Sequence, residues 1–505
     1  MNYLIGVDIG TTSTKSIAFD LQGNILARRN IGYALISSEP SYSEQDPEEI
    51  FKAVVDSIRD VALETGRKGY DLSGIAFSSA MHSVIAVDKH GKPLTNSIIW
   101  ADTRSRNYAA DLKSSGLGHE IYMKTGTPIH PMSPLCKIAW MRDNLAEIYS
   151  KAYKFISIKE YVLYKLFGEY VIDYSIASAT GLFDIYNLEW DRKALDFAGI
   201  DAIKLSRPVD TMHKMLGLRD DYREYMGIAA DIPFIVGASD GCLANLGTNA
   251  IRPGEAAVTI GTSGAIRVIS DKPLNDEEER IFSYILTEDR FVLGGPVNNG
   301  GIVLRWFRDN FGDMEALQGK ESNEDPYDLL IDKAEKISAG SDGLIFLPYL
   351  LGERAPHWDA NSKGVYFGIN IKHSKAHFLR ALLEGVIYGI YDVGRALVET
   401  TGDIHRIYAT GGFVRSELWV QILADIFNKE VAIAESFESS CLGAAVLGMK
   451  SLNMIDSIDE VEKLVPVSKI FYPDGANHQM YSKLFKIYER LYGKLKDEFL
   501  NVEDL

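Results

Sequence analysis

Two similar patterns of apolar and polar positions, one in each half of the chain, organise this sequence. In each pattern, a short apolar run enters a turn of glycine and hydroxyl residues, and a second apolar run leaves it. The first pair of runs covers residues 3–7 and 16–19, and the second pair covers residues 256–260 and 265–269. Short apolar runs on both sides of a glycine-containing turn are typical of β-hairpins. We therefore predict two hairpins, with turns near residues 10 and 262.

The remaining pattern places strands first and helices afterwards in both halves. Apolar residues at every second position indicate a strand, and apolar residues three to four positions apart indicate a helix. For the first half they predict strands at 25–33, 74–79 and 83–88 and helices at 134–145, 159–166 and from Asp46-Pro47 onward. For the second half they predict strands at 281–287, 291–294 and 407–410, a helix near Gly301, a polar surface loop over 312–326, and helices at 416–427, 440–450 and 476–498. This repetition predicts an α/β protein with two domains, residues 1–247 and 248–505.

Length and composition narrow the function classes. The chain has 505 residues, of which 46% are hydrophobic and 24% charged, as in ordinary globular proteins. Its net charge of −17 and the lack of a basic run argue against nucleic acid or an anionic membrane as the main partner. The three cysteines are far apart, so neither a disulfide framework nor a zinc site is expected. No apolar run reaches the ~20 residues that span a bilayer, and no signal peptide is recognisable, so we expect a cytoplasmic protein.

Both glycine turns have the residue types that bind phosphate. Small residues allow a ligand to approach closely, and consecutive backbone N–H groups in a tight turn form an anion-binding concavity. Two such hairpins facing each other could hold the phosphates of one nucleotide, which indicates an ATP-dependent enzyme with two lobes. The residues that would do this are Gly10, Thr11, Thr12 and Ser13 in the first turn and Gly261, Thr262 and Ser263 in the second.

Lys15 follows the first turn and has two interpretations, a phosphate-binding cation or a solvated strand residue. It nearly completes a P-loop, but Ile9 and Thr14 occupy the positions that need glycine. The turn also leads into a predicted strand and not into a helix. We therefore exclude P-loop chemistry, and Lys15 stays a candidate for the nucleotide site.

Two aspartates are candidates for the chemistry of phosphoryl transfer. Asp8 enters the first turn, where a carboxylate could hold Mg²⁺ beside phosphates or could cap its own hairpin. Asp240 follows an apolar strand and precedes a glycine. At that position it could orient or deprotonate an attacking substrate hydroxyl, or it could belong to an ordinary Asp-Gly turn.

Three segments of the first half combine an apolar side chain with polar groups, the mixture that recognition of a polyol requires. Each segment could instead be a structural turn or a capped strand end. Arg104 could form a forked pair with a substrate carboxylate, or it could pair with Asp102. The candidate substrate residues in these segments are Met81, His82, Trp100, Asp102, Arg104 and His130.

The combination of these motifs resembles the FGGY family of carbohydrate kinases, which have the actin/hexokinase-like ATPase fold. The first turn is similar to the family's opening phosphate motif, residues 132–144 to its first signature, and residues 364–369 with 377–384 to its second. The resemblance covers essentially the whole chain. It implies two ribonuclease H-like lobes around a central cleft, ATP and Mg²⁺ as cofactors, Asp240 as the catalytic base and Asp8 as the metal-associated carboxylate.

The resemblance also implies nucleotide contacts in the second half. Gly411 and Gly412 resemble the family's adenosine motif. Gly301 and Arg305 match positions that line the nucleotide site in the related glycerol kinases. Ser416 stands where those kinases have asparagine, so the adenine contact is expected to differ at this position.

Within the family, residues 78–83, 124–131 and 295–301 are similar to stretches of bacterial gluconate kinases. They imply phosphorylation of D-gluconate at its 6-hydroxyl, with His82, Arg104 and His130 as candidates for the carboxylate contact. Xylulose kinases share the Met-His pair and the Trp-x-Asp-x-Arg stretch, so xylulose or another polyol is the alternative substrate. A nucleotide-switch protein of the same fold is a further alternative. A homodimer is compatible with the sequence.

Overall fold

The computed structural model describes residues 1–435 and 438–503 of the chain. Its strands are β1 (Asn2–Ile9), β2 (Ser13–Asp20), β3 (Ile25–Gly32), β4 (Glu44–Gln45), β5 (Asp71–Ser79), β6 (Ile85–Val87), β7 (Ser97–Ile98), β8 (Lys154–Ile156), β9 (Val171–Asp173), β10 (Phe183–Asp184), β11 (Glu189–Trp190), β12 (Arg207–Val209), β13 (Lys214–Met215), β14 (Phe234–Ser239), β15 (Glu255–Ile260), β16 (Gly264–Ser270), β17 (Phe282–Thr287), β18 (Arg290–Val297), β19 (Ile345–Leu347), β20 (Val365–Phe367), β21 (Arg406–Thr410), β22 (Glu430–Ala434) and β23 (Val467–Phe471).

The helices are α1 (Pro47–Arg67), α2 (Arg106–Ser114), α3 (Leu117–Thr125), α4 (Pro134–Asn144), α5 (Ala146–Lys151), α6 (Ile158–Phe167), α7 (Tyr174–Ser178), α8 (Arg192–Ala198), α9 (Asp220–Met226), α10 (Asp240–Gly247), α11 (Gly301–Phe311), α12 (Asp313–Ser322), α13 (Pro326–Glu335), α14 (Lys375–Thr401), α15 (Glu417–Phe427), α16 (Ser439–Ser451) and α17 (Gly475–Glu503). Short 3-10 helices cover Ala202–Lys204, Ser341–Gly343, Gly412–Arg415 and Ile458–Lys463.

Both predicted hairpins are present. β1 and β2 pair antiparallel with Asp8 opposite Lys15, and β15 and β16 pair antiparallel with Ile260 opposite Gly264. Helix α1 begins after Asp46, whose side chain accepts a hydrogen bond from a backbone N–H of the first turn, as the Asp-Pro pair predicts. The other predicted helices correspond to α4, α6, α11, α15, α16 and α17.

The prediction of a surface loop over residues 312–326 is wrong. Helix α12 covers most of this segment, and α13 begins at its end. Although the segment is polar, the Glu315 side chain is fully buried and pairs with Lys333 of α13 and Lys375 of α14. Because these partners come from other helices, the composition of the segment alone does not reveal that its polar face is covered.

The chain divides into two compact units. The first consists of Met1–Ile251, Ser270–Val292 and Glu438–Pro466, and the second of Arg252–Ile269, Leu293–Phe437 and Val467–Leu505. These bounds differ from the predicted domains 1–247 and 248–505, because two segments of the second half belong to the first unit. One of these segments contains α16, which packs on β1 and β5.

The first unit is built on the sheet β13-β14-β5-β1-β2-β3, in which β1, β5 and β14 are parallel. Alternate residues of a strand point to opposite faces. Ile5, Val7 and Ile9 share a hydrophobic core with α1. Gly6 faces α16, where a Cβ atom would lie 2.1 Å from the carbonyl oxygen of Cys441, so this close approach requires glycine. Helices therefore cover both faces of the sheet.

The second unit contains the strand order β16-β15-β21-β22-β23. β15, β21 and β22 are parallel, and β16 and β23 run antiparallel to their neighbours. The first unit has the same five-strand arrangement in β2-β1-β5-β14-β13. This shared topology agrees with the repeated order of strands and helices in the sequence pattern.

Candidate active site

Three parallel strands of the first unit end side by side, and a candidate residue lies at each end. Asp8 is the penultimate residue of β1, His82 comes shortly after β5, and Asp240 directly follows β14. Asp8 and Ala238 are both level with Ser78 of the central strand, β5. β1 and β14 are therefore about 10 Å apart, twice the ordinary strand spacing. Ligands of parallel α/β sheets bind at this carboxyl edge.

The Asp8 carboxylate is fixed by the neighbouring strand. The hydroxyl of Ser78 donates a hydrogen bond of 2.7 Å to its Oδ1 atom. Burial raises the pKa of Asp8 above its usual value; Ser78 and Lys15 oppose this shift, and Glu438 adds to it. A carboxylate whose charge is poorly solvated gains from a nearby cation, so this position suits a metal ion.

The first glycine turn is held from outside by three side chains. Within the turn, the N–H of Gly10 donates to the carbonyl oxygen of Ser13. Tyr33 donates its hydroxyl to the Gly10 carbonyl at 2.5 Å, and Gln45 donates its amide to the Thr11 carbonyl at 2.5 Å. The indole N–H of Trp100 donates to the Thr11 hydroxyl at 3.0 Å. The adjacent residue 12 is a threonine with an exposed side chain, so the tip of the turn is rigid and accessible.

Lys15 matches neither sequence interpretation in full, because it has a protein partner. Its ammonium lies 2.9 Å from a carboxylate oxygen of Glu438, at the start of α16. Burial lowers the pKa of Lys15, but Glu438 and Asp8 raise it by more, so the net pKa is above its ordinary value. Asp8, Lys15 and Glu438 thus form a row of alternating charges beside the first turn.

The Met81–His82 turn has an unusual backbone and a defined histidine tautomer. His82 has a φ angle of 68°, in the left-handed region that side chains with a Cβ atom rarely adopt. Its Nδ1 atom lies 2.7 Å from the carbonyl oxygen of Ala179. A carbonyl only accepts, so Nδ1 carries the proton, and Nε2, at 3.5 Å from the Tyr284 hydroxyl, is the acceptor nitrogen of the neutral ring. Met81 is half-buried beside it.

Asp102 and Arg104 pair with each other, the second of the two possibilities that the sequence left open. The Arg104 Nη2 atom lies 2.7 Å from Asp102 and 2.5 Å from Glu44. Asp102 also accepts the backbone N–H of Ser43. The guanidinium stacks over Tyr42, with its central carbon 3.6 Å from the ring centre. The ion pair of Asp102 and Arg104 therefore stabilises the segment that follows Trp100.

His130 is half-buried and has the opposite tautomer from His82. Its Nδ1 atom accepts the backbone N–H of Met132 at 3.1 Å. An accepting Nδ1 carries no proton, so the proton of the neutral ring is on Nε2.

Asp240 is the first residue of α10, and its half-buried side chain lies at the carboxyl edge of the sheet. Its Oδ1 atom accepts the N–H of Gly241 at 2.7 Å. The hydroxyl of Ser440, in the first turn of α16, donates to the backbone carbonyl oxygen of Asp240 at 3.3 Å. Ser239 caps the helix. A helix N-terminus favours the charged form of a carboxylate, which is the form that a general base requires.

In the second unit, the second glycine turn packs on the start of α11. The N–H groups of Gly301 and Ile302 donate to the carbonyls of Gly261 and Thr262, at 2.7 and 3.0 Å. A Cβ atom at Gly301 would lie 2.7 Å from the Gly261 carbonyl oxygen, so glycine is needed at this contact. The side chain of Thr262 is exposed, as is that of residue 305, an arginine one turn along the helix.

The predicted adenosine segment lies after β21. Gly411 has a φ of 100°, and a Cβ there would lie 2.5 Å from the carbonyl oxygen of Ile260 at the entry of the second turn. Gly412 is exposed, with open space where a side chain would be. The Ser416 hydroxyl caps α15 by accepting the N–H of Trp419 at 3.2 Å. This capping role accounts for serine at that position.

Several supporting residues were not identified from the sequence. In the first unit they are Ser78, Tyr33, Gln45 and Glu438, whose partners are distant in sequence. In the second unit, Glu353 accepts backbone N–H groups of Asn298 and Arg354 and so holds the segment before α11. Only the Gly-Glu-Arg-Ala-Pro run around Glu353, with its glycine and proline, was a local signal of a specific turn.

Two negative findings apply to the part of the chain that the structure describes. Within residues 1–435 and 438–503, no group of three or more His, Cys, Asp or Glu side chains is placed to hold a metal ion. No helix in the same ranges is both long and apolar enough to cross a membrane.

Comparison with known proteins assigns the family. A gluconokinase of Bacillus subtilis (strain 168) is 49% identical over 504 residues, covering 100% of this chain and 98% of the relative. The crystal structure of gluconate kinase from Lactobacillus acidophilus has a TM-score of 0.93 and 37% identity, with 99% of each chain covered. Ligand-bound xylulose kinase from the same organism has a TM-score of 0.94 and 36% identity, with 99% of this chain and 100% of that chain covered.

Family models for the N-terminal and C-terminal domains of the FGGY carbohydrate kinases match residues 3–247 and 256–452. These matches and the structural similarity confirm the family and the fold class that the sequence motifs predict. The chain belongs to the FGGY family of carbohydrate kinases, enzymes that use ATP as their phosphoryl donor.

Proposed function

We propose that this kinase transfers the γ-phosphoryl group of ATP to the 6-hydroxyl of D-gluconate, forming 6-phospho-D-gluconate and ADP. The observation that carries the choice of sugar is the 49% identity with a gluconokinase over the whole chain. The identities with the solved gluconate and xylulose kinases are nearly equal, at 37% and 36%, so they do not separate the two sugars. Xylulose is therefore the second candidate acceptor.

Asp240 is the proposed catalytic base. Phosphoryl transfer needs little covalent help from the protein, but the attacking hydroxyl has to be oriented and has to lose its proton. The hydrogen bond with Gly241 and the start of α10 fix the direction of the Asp240 carboxylate. In the proposed step, the 6-hydroxyl oxygen bonds to the γ-phosphorus, the bond to the ADP oxygen breaks, and the hydroxyl proton moves to Asp240.

Asp8 is the proposed ligand of Mg²⁺. The residues present fit this ion, because Mg²⁺ in nucleotide sites takes one or two carboxylates and completes its shell with phosphate oxygens and water. Ser78 fixes the Asp8 carboxylate through Oδ1. When bound, Mg²⁺ neutralises negative charge on the phosphates. The proposal therefore needs no larger cluster of protein ligands.

The two hairpin turns are proposed to hold the phosphates of ATP. The N–H groups of Gly10 and Gly261 are used within the turns, where they donate to Ser13 and Ser263. We therefore assign the phosphate contacts mainly to the N–H and hydroxyl groups of the exposed residues Thr12 and Thr262, with their neighbours Thr11, Ser13 and Ser263 completing the turns. Lys15, Gly301, Arg305, Gly411, Gly412 and Ser416 complete the proposed nucleotide site.

The sugar acid is proposed to bind beside Met81, His82, Trp100 and His130. Of the three candidates for the carboxylate contact, His130 fits best, because its tautomer places a proton on Nε2. His82 has the reverse tautomer and suits a sugar hydroxyl, which can donate to Nε2. Arg104 is engaged by Asp102 and Glu44, so we assign this pair to support of the site. Consumption of ATP supports the proposed cytoplasmic location.

A coupled assay of ADP formation tests this function. The purified chain is given Mg²⁺, ATP and, in separate reactions, D-gluconate, D-xylulose, D-ribulose and glycerol, and the sugar product is identified by mass spectrometry. We expect D-gluconate to give the highest kcat/KM and a 6-phosphorylated product. The Asp240→Ala variant should bind ATP normally, but its kcat for ADP formation should be lower by a factor of about 10² to 10⁴. A preference for D-xylulose would replace gluconate with the second candidate, and no stimulation by any acceptor would indicate the nucleotide-switch class.

A further inference from the structure

Lys137 is a fully buried basic residue of the first unit. It lies one turn into α4, within the segment that resembles the family's first signature, and its side chain has no solvent exposure. Neighbouring residues on the helix, including Cys136, Ile138 and Ala139, are equally buried. Burial lowers the pKa of Lys137 to about 7, because the ammonium loses its water. A methionine would fill a similar volume without this cost, so packing does not explain a lysine here.

Backbone carbonyls take the place of a carboxylate partner. The Lys137 ammonium donates to the carbonyl oxygens of His82 at 2.7 Å, Ile99 at 2.7 Å and Ile98 at 3.3 Å. An ammonium has three N–H donors, so all of them are used. Lys159, the other fully buried lysine of this unit, instead forms an ion pair of 2.6 Å with Asp173. For Lys137, no ion pair within 4.0 Å is found among the described residues, and the charged groups that act on it are the more distant Asp102 and Arg104.

The three carbonyls belong to two segments that carry candidate substrate residues. One segment is the Met81–His82 turn, where the φ angle of 68° at His82 needs support from the surroundings. The other is the end of β7 and the residue after it, Ile98 and Ile99, which lead directly into Trp100. Trp100 in turn donates to Thr11 of the first phosphate turn. One ammonium therefore joins both segments and, through Trp100, the phosphate turn.

We infer that Lys137 is a positioning residue of this kinase, whose ammonium fixes the Met81–His82 turn against the Ile98–Trp100 segment so that the sugar-contacting groups keep one geometry. This inference rests on the proposed phosphoryl transfer to a sugar acid. Removal of the ammonium leaves three buried carbonyls without their donor, and the two segments are then free to separate or to admit water. Displacement of about 1 Å in substrate-positioning groups lowers reaction rates by about 100-fold.

The test compares Lys137→Met with a matched control, Lys154→Met. Lys154 lies in the same unit and also donates to two backbone carbonyls, those of Ile203 and Leu205 at 2.9 and 2.7 Å, but it contacts none of the candidate site residues. We expect Lys137→Met to lower kcat/KM for the sugar by about 10- to 100-fold, mainly through KM of the sugar. Lys154→Met should change the melting temperature but leave the KM for the sugar and the KM for ATP within about twofold of the wild-type values.

Hydrogen exchange measured by mass spectrometry supplies a readout that does not depend on the sugar. In Lys137→Met, peptides that cover residues 80–84 and 98–102 should exchange faster than in the wild type, while those of the second unit should not change. If Lys137→Met does not fold, Lys137→Gln, which keeps two N–H donors, is measured instead and should give a smaller effect in the same peptides. Unchanged exchange in both peptides, or equal kinetic effects of the Lys137 and Lys154 variants, would overturn the inference. A wild type without activity on the sugar acid would refute the proposed function and leave the exchange result as the separate test of positioning.

Discussion

The indole N–H of Trp100 donates to the Thr11 hydroxyl at 3.0 Å. This hydrogen bond joins a residue that we assign to the sugar with a residue of the first phosphate turn. A change in the position of either segment is therefore passed to the other within the first unit. With the proposed assignments, this bond would link the sugar site to the nucleotide site without a change of fold.

Replacement of Trp100 by phenylalanine should separate these two roles. Phenylalanine keeps an aromatic surface for the sugar but lacks the N–H donor, so the Thr11 hydroxyl loses its partner. We expect the KM for ATP to rise by about 2- to 10-fold, the equivalent of one ordinary hydrogen bond. Steady-state kinetics with both substrates varied measures this effect. Trp190→Phe, which changes an indole in ring contact with Phe183, is the control and should leave both KM values unchanged.

The alternating charges of Asp8, Lys15 and Glu438 predict a pH dependence with a defined sign. In its proposed role, Asp8 binds Mg²⁺ only when it is ionised. Its pKa is raised above the usual 3.8, so we expect activity on the acid side to fall at a higher pH than for an ordinary aspartate. Glu438→Gln removes a charge that raises this pKa, and should shift the acid limb of kcat/KM for MgATP to lower pH. Lys15→Met removes a charge that lowers it, and should shift the limb to higher pH.

The two variants are matched, because each removes one member of the same 2.9 Å ion pair. If loss of the pair itself caused the effect, both limbs would move in the same direction. Profiles of kcat/KM between pH 4 and 8 at saturating sugar distinguish these cases, and a common direction of shift would contradict the electrostatic assignment.

The ionised Asp8 side chain should also lower the free energy of unfolding. Its pKa is higher in the folded protein than in the unfolded chain, so ionisation is disfavoured by folding and stability rises as the pH falls through this pKa. Asp8→Asn should therefore unfold at a higher temperature than the wild type at pH 7 while losing most of its MgATP-dependent activity. Asp88→Asn is the contrasting control, because backbone N–H groups lower the pKa of Asp88, and that substitution should not stabilise. A lower melting temperature for Asp8→Asn would refute the assigned direction.

The sequence predicted those parts of the site that are built from neighbours in the chain. The two glycine turns, the helix start at Asp46-Pro47 and the strand ends at Asp8 and Asp240 all have local signals, because turn and cap chemistry is set by adjacent residues. The pairing of Arg104 with Asp102 was visible as one of two alternatives for the same reason, since these residues are two positions apart.

What the sequence did not predict depends on partners that only the fold brings together. Glu438 pairs with Lys15, which is more than 400 positions away in the chain. Lys137 donates to backbone carbonyls, and because every residue has a carbonyl, the residue types do not reveal this contact. The assignment of residues 438–466 to the first unit was missed for a related reason. A helix that packs on a distant strand shows only its own apolar positions, and not the strand that receives them.

The contact between β1 and α16 supplies a stability test of that unexpected assignment. A Cβ atom at Gly6 would lie 2.1 Å from the backbone carbonyl oxygen of Cys441, which cannot move aside as a flexible side chain could. We expect Gly6→Ala to destabilise the first unit by about 1–3 kcal/mol or more, the usual cost of overpacking a core. Gly66→Ala in α1 is the matched control, because a Cβ there meets no atom of the described residues within 4 Å. Alanine also favours a helix, so the effect should be neutral or stabilising. Chemical denaturation of both variants measures the difference, and equal stabilities would contradict the packing of α16 against β1.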